Sequence, residues 1–206
     1  MKYNKYMFIS IILAISGGFM NTYSYICNGG VFASMQTGNI LLLTINITNG
    51  NISGLLQYIC PLILFIVGII ISSIINKYDI MILFEVMILI IVCYIENNII
   101  ASSLISIVCG VQLNGFGAIC NNTTTMCTGN LRYMIKYLCS YALNRDISTL
   151  HKSITSCLLV SSFVIGTIIG NITIQYIHKY ALLICSDILL VAFIIMLFDK
   201  CNDKTT

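Results

Sequence analysis

A short polar motif occurs twice in this otherwise apolar chain, as Met35-Gln36-Thr37-Gly38-Asn39 and as Met126-Cys127-Thr128-Gly129-Asn130. Threonine and asparagine can cap the start of a helix, and glycine permits a tight turn. Because exposed amides at a helix N-terminus are partly positive, each copy could form a polar site for a small permeant. The candidate pathway or substrate-binding residues in the two copies are Thr37, Gly38, Asn39, Thr128, Gly129 and Asn130.

Three further amide side chains interrupt apolar runs. Asn21 ends the run Gly18-Phe19-Met20-Asn21, and Gln112 and Asn114 lie in the loosely similar run Gly110-Val111-Gln112-Leu113-Asn114. Such side chains either line a polar pathway or only hydrogen-bond neighbouring helices, which is a modest structural role in a membrane. We include all three among the candidate pathway residues.

Two acidic residues, Glu85 and Asp187, also lie within apolar runs. Each follows a Lys-Tyr pair at the same interval, Glu85 after Lys77 and Asp187 after Lys179. Ionisable groups inside membrane spans usually face a bundle interior or an aqueous cavity and serve ion or proton pathways. The alternative is a position near the headgroups, because Glu85 lies only about 8 Å from the start of its span. We predict that the pair handles charge or protons.

No pattern typical of an enzyme is present. The sequence contains no nucleophile elbow, no phosphate-binding glycine loop and no HExxH, and its ten cysteines include no Cys-x-x-Cys. We therefore predict no catalytic residue, no metal and no cofactor. An intramembrane enzyme would need Glu85 and Asp187 to converge as acids in a closed wet cavity.

The composition decides which solvent surrounds these residues. The chain is 58% hydrophobic and 8% charged, with a mean hydropathy of +0.97, so too little polar surface exists to cover a soluble globule. Several apolar runs approach the roughly 20 residues that cross a hydrocarbon core of about 30 Å. We predict an all-α, polytopic transmembrane helical bundle that forms one membrane domain over residues 1–206. The six predicted spans are 7–27, 57–76, 80–95, 99–119, 154–177 and 181–198.

The positions of the basic residues predict the orientation. With a cytoplasmic N-terminus, six spans leave Lys179 alone outside and place the C-terminus in the cytoplasm, which satisfies the positive-inside rule. An eight-span alternative is worse, because it places Arg132 and Lys136 inside a span at about 3 kcal/mol each. The nine basic residues on the cytoplasmic side are Lys2, Lys5, Lys77, Arg132, Lys136, Arg145, Lys152, Lys200 and Lys204.

The chain contains an internal repeat, with halves 1–97 and 98–206. Besides the polar motif, Phe65-Ile66-Val67-Gly68 recurs as Phe163-Val164-Ile165-Gly166. Three spans in each half make the repeat inverted, an organisation that places the permeant site of many transporters where the repeats meet. The short apolar pieces 40–47 and 131–138 predict two re-entrant or broken half-helices, one in each half.

A basic segment follows the second motif. Arg132 and Lys136 alternate with tyrosines, and Arg145 and Lys152 follow, which predicts a helix lying on the anionic inner leaflet. The tyrosines are Tyr133, Tyr137 and Tyr141. A nucleic-acid partner is not expected in this setting.

The chain resembles the YoaK-like bacterial membrane proteins, a family with a domain of unknown function and usually six predicted spans. The resemblance rests on Gly18-Phe19-Met20-Asn21, the run from Gly30 to Asn39, Gly110-Val111-Gln112-Leu113-Asn114 and Thr123-Thr124-Thr125-Met126-Cys127-Thr128-Gly129. The family usually has Asp at Asn21, and commonly Thr at Asn130. The resemblance implies a bacterial cytoplasmic membrane location and says little about a substrate.

These observations favour a small-solute or ion transporter or channel whose pathway lies at the repeat interface. The permeant is not identified by the sequence. A non-transporting membrane scaffold or partner-binding subunit is the alternative, and an intramembrane enzyme is a third reading. The expected partners are the lipid bilayer, the solute and a second copy of the chain in a homo-oligomer.

Overall fold

The computed structural model describes residues 2–51, 54–75, 77–120 and 127–202, which leaves Met126 of the second motif and Lys204 outside the described residues. The described chain is helical apart from its connections, as predicted. A 3-10 turn, His178–Tyr180, joins the last two helices. The α-helices are α1 Lys2–Cys27, α2 Gln36–Thr48, α3 Leu55–Ile74, α4 Tyr78–Val92, α5 Asn98–Cys120, α6 Cys127–Asn144, α7 Ile147–Ile177 and α8 Ala181–Asn202.

Four helical stretches are long and apolar enough to cross a membrane. They are Tyr6–Cys27, Leu55–Ile74, Asn98–Gly117 and Ile147–Phe198, and the last of them covers α7 and most of α8. With 15 residues, α4 is about 22 Å long and therefore shorter than the predicted span 80–95. In contrast, α6 has 18 residues and is much longer than the predicted piece 131–138.

The start of α7 differs from the prediction for a local reason. Asp146 caps this helix, because its carboxylate accepts hydrogen bonds from the backbone nitrogen of Ser148 at 2.9 Å and from Ser148 Oγ at 2.6 Å. The side-chain bond from Ser148, then the backbone bond, holds the pKa of Asp146 below its usual range. The helix therefore begins at Ile147 rather than near residue 154, and its 31 residues extend about 46 Å.

Apolar side chains cover the outside of the helical bundle, and polar side chains lie in its interior. The isoleucines Ile63, Ile66 and Ile70 on α3 are about half exposed, whereas Ser72 of the same helix is buried. Elsewhere the interior holds Glu85, which is completely buried. This is the distribution of a membrane protein, because lipid accepts apolar surface and polar groups must find partners within the bundle.

Helices from the two halves of the chain pack against one another in matching pairs. In one pairing α1 packs on α7, and in the other α5 packs on α3. One helix of each pair, α1 and α5 respectively, joins α4 and α8 in a central four-helix core. In this core α4 contacts α8 and α1 contacts α5. The two remaining helices lie outside this core, α2 against α3 and α6 against α7.

Glycines make main-chain contact possible where the paired helices cross. A Cβ on Gly18 of α1 would overlap the carbonyl oxygen of Phe163 in α7, and one on Gly166 of α7 would overlap that of Ile15 in α1. In each case the blocking carbonyl lies three residues before the partner glycine. Small residues let helix backbones approach this closely in lipid.

The second crossing has the same construction. A Cβ on Gly68 of α3 would overlap the carbonyl oxygen of Ile107 in α5, and one on Gly110 of α5 would overlap that of Phe65 in α3. Again the carbonyl lies three residues before the partner glycine. Gly68 and Gly166, which the sequence repeat pairs, therefore occupy equivalent positions in two helix crossings.

Two glycines on α5 provide a matched test of this packing. Gly110→Ala should lower the free energy of unfolding by about 1–3 kcal/mol, because the added methyl group overlaps α3 backbone. Gly117→Ala, whose Cβ meets no atom within 4 Å, should leave stability unchanged or raise it by about 0.5–1 kcal/mol. The midpoint of thermal unfolding of each variant would be measured with a thiol-reactive dye, which labels the buried Cys93, Cys109 and Cys185 when the protein unfolds on heating. Equal shifts of the unfolding midpoint in the two variants would contradict the close contact of α5 with the α3 backbone.

Candidate functional site

Asn39 of the first polar motif fastens a loop to α2. Its Oδ1 accepts a hydrogen bond from the Phe32 backbone nitrogen at 2.9 Å, and its Nδ2 donates to the Phe32 carbonyl at 2.7 Å. Nδ2 also donates to Gln36 Oε1 at 3.0 Å. Since Asn39 is buried, these bonds satisfy its amide and fix residues 28–35, hereafter the entry loop, against the start of α2.

Asn21 fastens the same entry loop to α1. Its Nδ2 donates to Ser34 Oγ and to the Gly17 carbonyl, both at 2.8 Å, and its Oδ1 accepts from the Ser34 backbone nitrogen at 3.0 Å. These contacts use an amide as donor and acceptor, which an ionised carboxylate could not do. The difference from the Asp usual in the resembling family therefore matches the geometry present here.

The prediction that the motif caps a helix and turns at its glycine is wrong for the first copy. The residue before α2 is Met35, which makes no side-chain capping bond. Gly38 lies inside the first turn. A Cβ at this position would lie 2.9 Å from the Phe32 ring, which favours glycine here. The positive backbone angles fall earlier, at Gly29 with φ 75° and Gly30 with φ 80°.

The second copy takes the same place at the start of α6. Thr128, Gly129 and Asn130 lie in the first described turn of this helix. Thr128 is exposed and Asn130 is buried, as are their counterparts Thr37 and Asn39. Among the described residues, no hydrogen bond joins one copy to the other. The two motifs are thus equivalent in local position but belong to helices that pack on different partners.

A cleft of about 210 Å³ lies between α1, the entry loop and α7. Its wall is largely apolar, and Asn21 reaches it beside two threonines. Tyr25 and Phe32 stack in this wall with ring centroids 5.0 Å apart. The lining residues are Asn21, Thr22, Tyr25, Ile26, Phe32, Met35, Phe163 and Thr167.

Gln112 and Asn114 both join α5 to a helix of the other half. Gln112 Nε2 donates to the Leu13 carbonyl and to Ser16 Oγ of α1, each at 3.0 Å, while its Oε1 finds no partner among the described residues. Asn114 Nδ2 donates to Ser72 Oγ at 2.9 Å and to Ser73 Oγ at 3.0 Å on α3. Only Gln112 is buried in the central core.

Glu85 lies in the same core, on α4. It is completely buried, and neither carboxyl oxygen has a hydrogen-bond partner among the described residues. The thiols of Cys109 on α5 and Cys185 on α8 are completely buried in the same core. Cys185 in turn lies 3.8 Å from the Ser16 carbonyl of α1.

These buried groups form a central polar cluster to which all four core helices contribute. Ser106, one turn before Cys109 on α5, is also buried and has no described partner. The sequence prediction missed the small members, because serine and cysteine are common in packed helices; their only signal was a three- or four-residue spacing along α5. The cluster comprises Ser16, Glu85, Ser106, Cys109, Gln112 and Cys185.

Asp187 does not join this cluster. It is exposed on α8, whereas Glu85 is buried on α4, so the structure places the two predicted acids in different environments. Among the described residues, no three His, Cys, Asp or Glu side chains are arranged to hold a metal ion.

Comparison with known proteins finds one family. A family model described as protein of unknown function (DUF1275) matches residues 9–195, which include both polar motifs and the central cluster. No curated protein and no solved structure matches the chain.

The first motif offers a test of its clamping role. Asn39→Leu should expose the entry loop, because Phe32 loses both backbone partners at about 1–3 kcal/mol for each buried group left unsatisfied. Hydrogen exchange measured by mass spectrometry should then show amide exchange in residues 28–35 that is at least about tenfold faster. Thr37→Val, a nearly isosteric change at an exposed position of the same motif, serves as the control. Unchanged exchange in Asn39→Leu would contradict the clamp.

Proposed function

The chain belongs to the DUF1275 family of proteins of unknown function, and from that premise we propose that it is a membrane transporter or channel for a small solute or ion. The observation that carries this proposal is Glu85, a carboxyl group buried without a described partner where the two halves of the chain meet. An ionisable residue inside a membrane bundle is expensive and is usually functional.

The cost of burial determines what Glu85 can do. An unpaired carboxylate in an apolar interior is penalised by several kcal/mol, so the closed arrangement described here favours the neutral carboxylic acid. Opening the core to water or to a cation would favour the ionised form. A carboxyl group whose charge changes with access is what coupled movement of a proton or cation requires. We therefore assign charge handling to Glu85 and retain Asp187 as a second candidate near a membrane face.

We further propose six spans arranged as a 3+3 inverted repeat. Its support is the pair of equivalent glycine crossings and the exchange of α1 with α5 and α3 with α7 that maps one pairing onto the other. In this arrangement α2 and α6 are the two helices that do not span, and each begins with the polar motif. The permeant would move along the central polar cluster, with Gln112 Oε1 and Ser106 Oγ as available polar groups.

The polar motifs fit the two mouths of such a pathway. Asn39 and Asn21 set the position of the entry loop, which borders the described cleft. Asn130 occupies the equivalent position in α6. We propose that the motifs shape access from opposite sides, while Thr37 and Thr128, which are exposed, are free to meet the solute.

The positions of the basic residues support an orientation with both termini in the cytoplasm, and the resemblance to YoaK-like proteins implies the bacterial cytoplasmic membrane. We propose transport rather than catalysis. A homo-oligomer in the bilayer remains part of the proposal, and no nucleic acid takes part.

A non-transporting scaffold is the second candidate. It is favoured by the amides of Asn21 and Asn39, whose hydrogen bonds hold the entry loop. In that case the motifs only stabilise the bundle, and substitution of Glu85 by a neutral residue of equal size would change no flux.

Substitution at the two acids tests the proposal. Proteoliposomes containing the full chain and a pH-sensitive dye would receive gradients of amino acids, sugars, amines and inorganic ions in turn, and uptake and luminal pH would be measured. Glu85→Gln should lower the rate for the transported solute at least about tenfold, because it removes the titrating group. Asp187→Asn tests the second candidate, and Glu96→Gln, which changes an exposed acid without an assigned role in the same way, is the matched control.

Thermal stability separates this role from a structural one. Glu85→Gln should not lower the unfolding midpoint, because Glu85 makes no described hydrogen bond that glutamine would lose. Uptake equal to that of empty liposomes for every solute, or uptake unaffected by Glu85→Gln, would favour the scaffold.

A further inference from the structure

We propose that α6 and the first turns of α7 form a binding surface for anionic phospholipid headgroups, hereafter the basic face. Transport through the core does not require such a surface. The residues that carry it are Arg132 and Lys136 on α6 and Arg145 and Lys152 beside them, all of which are exposed.

The packing of α6 fixes which of its sides are available. Ser153 Oγ of α7 donates to the Met134 carbonyl at 2.8 Å, and Asn130 is buried, so this side of α6 lies against α7. Leu131, Ile135 and Leu138 form an exposed apolar stripe with helical spacing on another side.

Arg132 and Lys136 lie next to this stripe, each one residue after one of its members. A helix with adjacent apolar and basic stripes lies in the membrane interface, with the apolar stripe in the acyl region and the basic stripe among the headgroups. The exposed apolar stripe and the basic residues beside it therefore both favour contact with a lipid surface that has negative headgroups.

Aromatic contacts hold the basic face together. Tyr133 and Tyr137 stack with ring centroids 6.0 Å apart, and Lys152 Nζ lies 5.8 Å from the centre of the Tyr137 ring. Lys152 is thereby kept beside α6 although it belongs to α7. Tyrosine rings favour the depth of the headgroups, so they and the basic groups agree on one position relative to the bilayer.

Negative charge is scarce on this surface. The acidic residue of the segment 127–160 is Asp146, whose carboxylate accepts both bonds from Ser148 at the start of α7. Four basic residues thus face one acid, which leaves a net positive surface for anionic lipid. Each basic residue near the membrane surface raises the affinity for an anionic leaflet about five-fold.

The equivalent helix of the other half shows that the positive charge is not needed for the fold. In α2, the positions that correspond to Arg132 and Lys136 are Leu41 and Ile45, and both are exposed. The whole of α2 contains no charged residue. In the proposed inverted repeat, on which this step rests, the same structural unit is neutral on one side of the protein and basic on the other, as two leaflets of different charge require.

Brominated lipids test the basic face directly. The chain has no tryptophan, so Tyr133→Trp supplies a single fluorescent reporter on α6. The full chain would be reconstituted into phosphatidylcholine vesicles that contain phosphatidylglycerol, with one lipid or the other brominated, and quenching would give the relative affinity at this position. We expect phosphatidylglycerol to be preferred about five-fold or more, and the preference to fall as salt is raised.

The control variants come from the chain itself. Arg132→Leu with Lys136→Ile gives α6 the residues of α2 at these positions and should lower the preference at least about five-fold, leaving what Arg145 and Lys152 supply. A reporter placed by Ile45→Trp on α2 should show no preference in the otherwise unsubstituted chain. If the double variant unfolds, Arg132→Gln with Lys136→Gln retains polarity and tests the same charge. Equal affinity for the two lipids at position 133, or a preference that the loss of both charges does not lower, would overturn the proposal.

Discussion

Main-chain contact at two glycine crossings is the constraint on which the rest of the structure depends. Gly18 with Gly166, and Gly68 with Gly110, bring helices of opposite halves so close that a single methyl group would meet a carbonyl oxygen. In lipid, apolar surface alone gives helices little reason to associate, so close packing between small residues carries much of the association. Fixing α1 on α7 and α3 on α5 leaves α4 and α8 to complete the core, and it places Glu85 and Gln112 inside it.

The resulting core is unusual because several of its buried polar atoms have no hydrogen-bond partner among the described residues. Hydrogen bonds hold the entry loop firmly, since Asn21 and Asn39 use their amides on it, and Asn114 joins α5 to α3. In contrast, both oxygens of Glu85 and Oε1 of Gln112 have no described partner. Evolution tolerates such groups in a membrane bundle where they serve a pathway. In the proposed function, the polar motifs that dominate the sequence shape the approach to the pathway, and the less conspicuous core carries the charge.

Much of the fold could be predicted because composition and small residues decide it. The apolar content indicated lipid as the solvent, and the recurring Phe-x-x-Gly marked Gly68 and Gly166, one glycine of each crossing, as equivalent positions; their partners Gly18 and Gly110 were not predicted. The contact of Asn39 with Phe32 was not predictable, because it joins a helix to a preceding loop whose path depends on positive φ angles at Gly29 and Gly30.

The acids show why equal spacing did not give equal environments. Tyr78 begins α4, whereas Lys179 and Tyr180 belong to the 3-10 turn before α8. Glu85 therefore lies seven residues after its helix begins and Asp187 six after its own. The buried residues of the two helices match with Glu85 opposite Cys185, so Asp187 lies two residues beyond the core position. Two residues rotate a side chain by about 200°, which turns it from the core to the surface.

The central proposal is that the halves are inverted copies fastened around a common core. Its most direct test is the accessibility of Thr37→Cys and Thr128→Cys, two exposed and equivalent positions, each introduced singly into a chain without its native cysteines. A membrane-impermeant maleimide applied to intact cells should label position 37 and should reach position 128 only after the membrane is opened. Labelling of both positions from the same side would contradict the inverted arrangement.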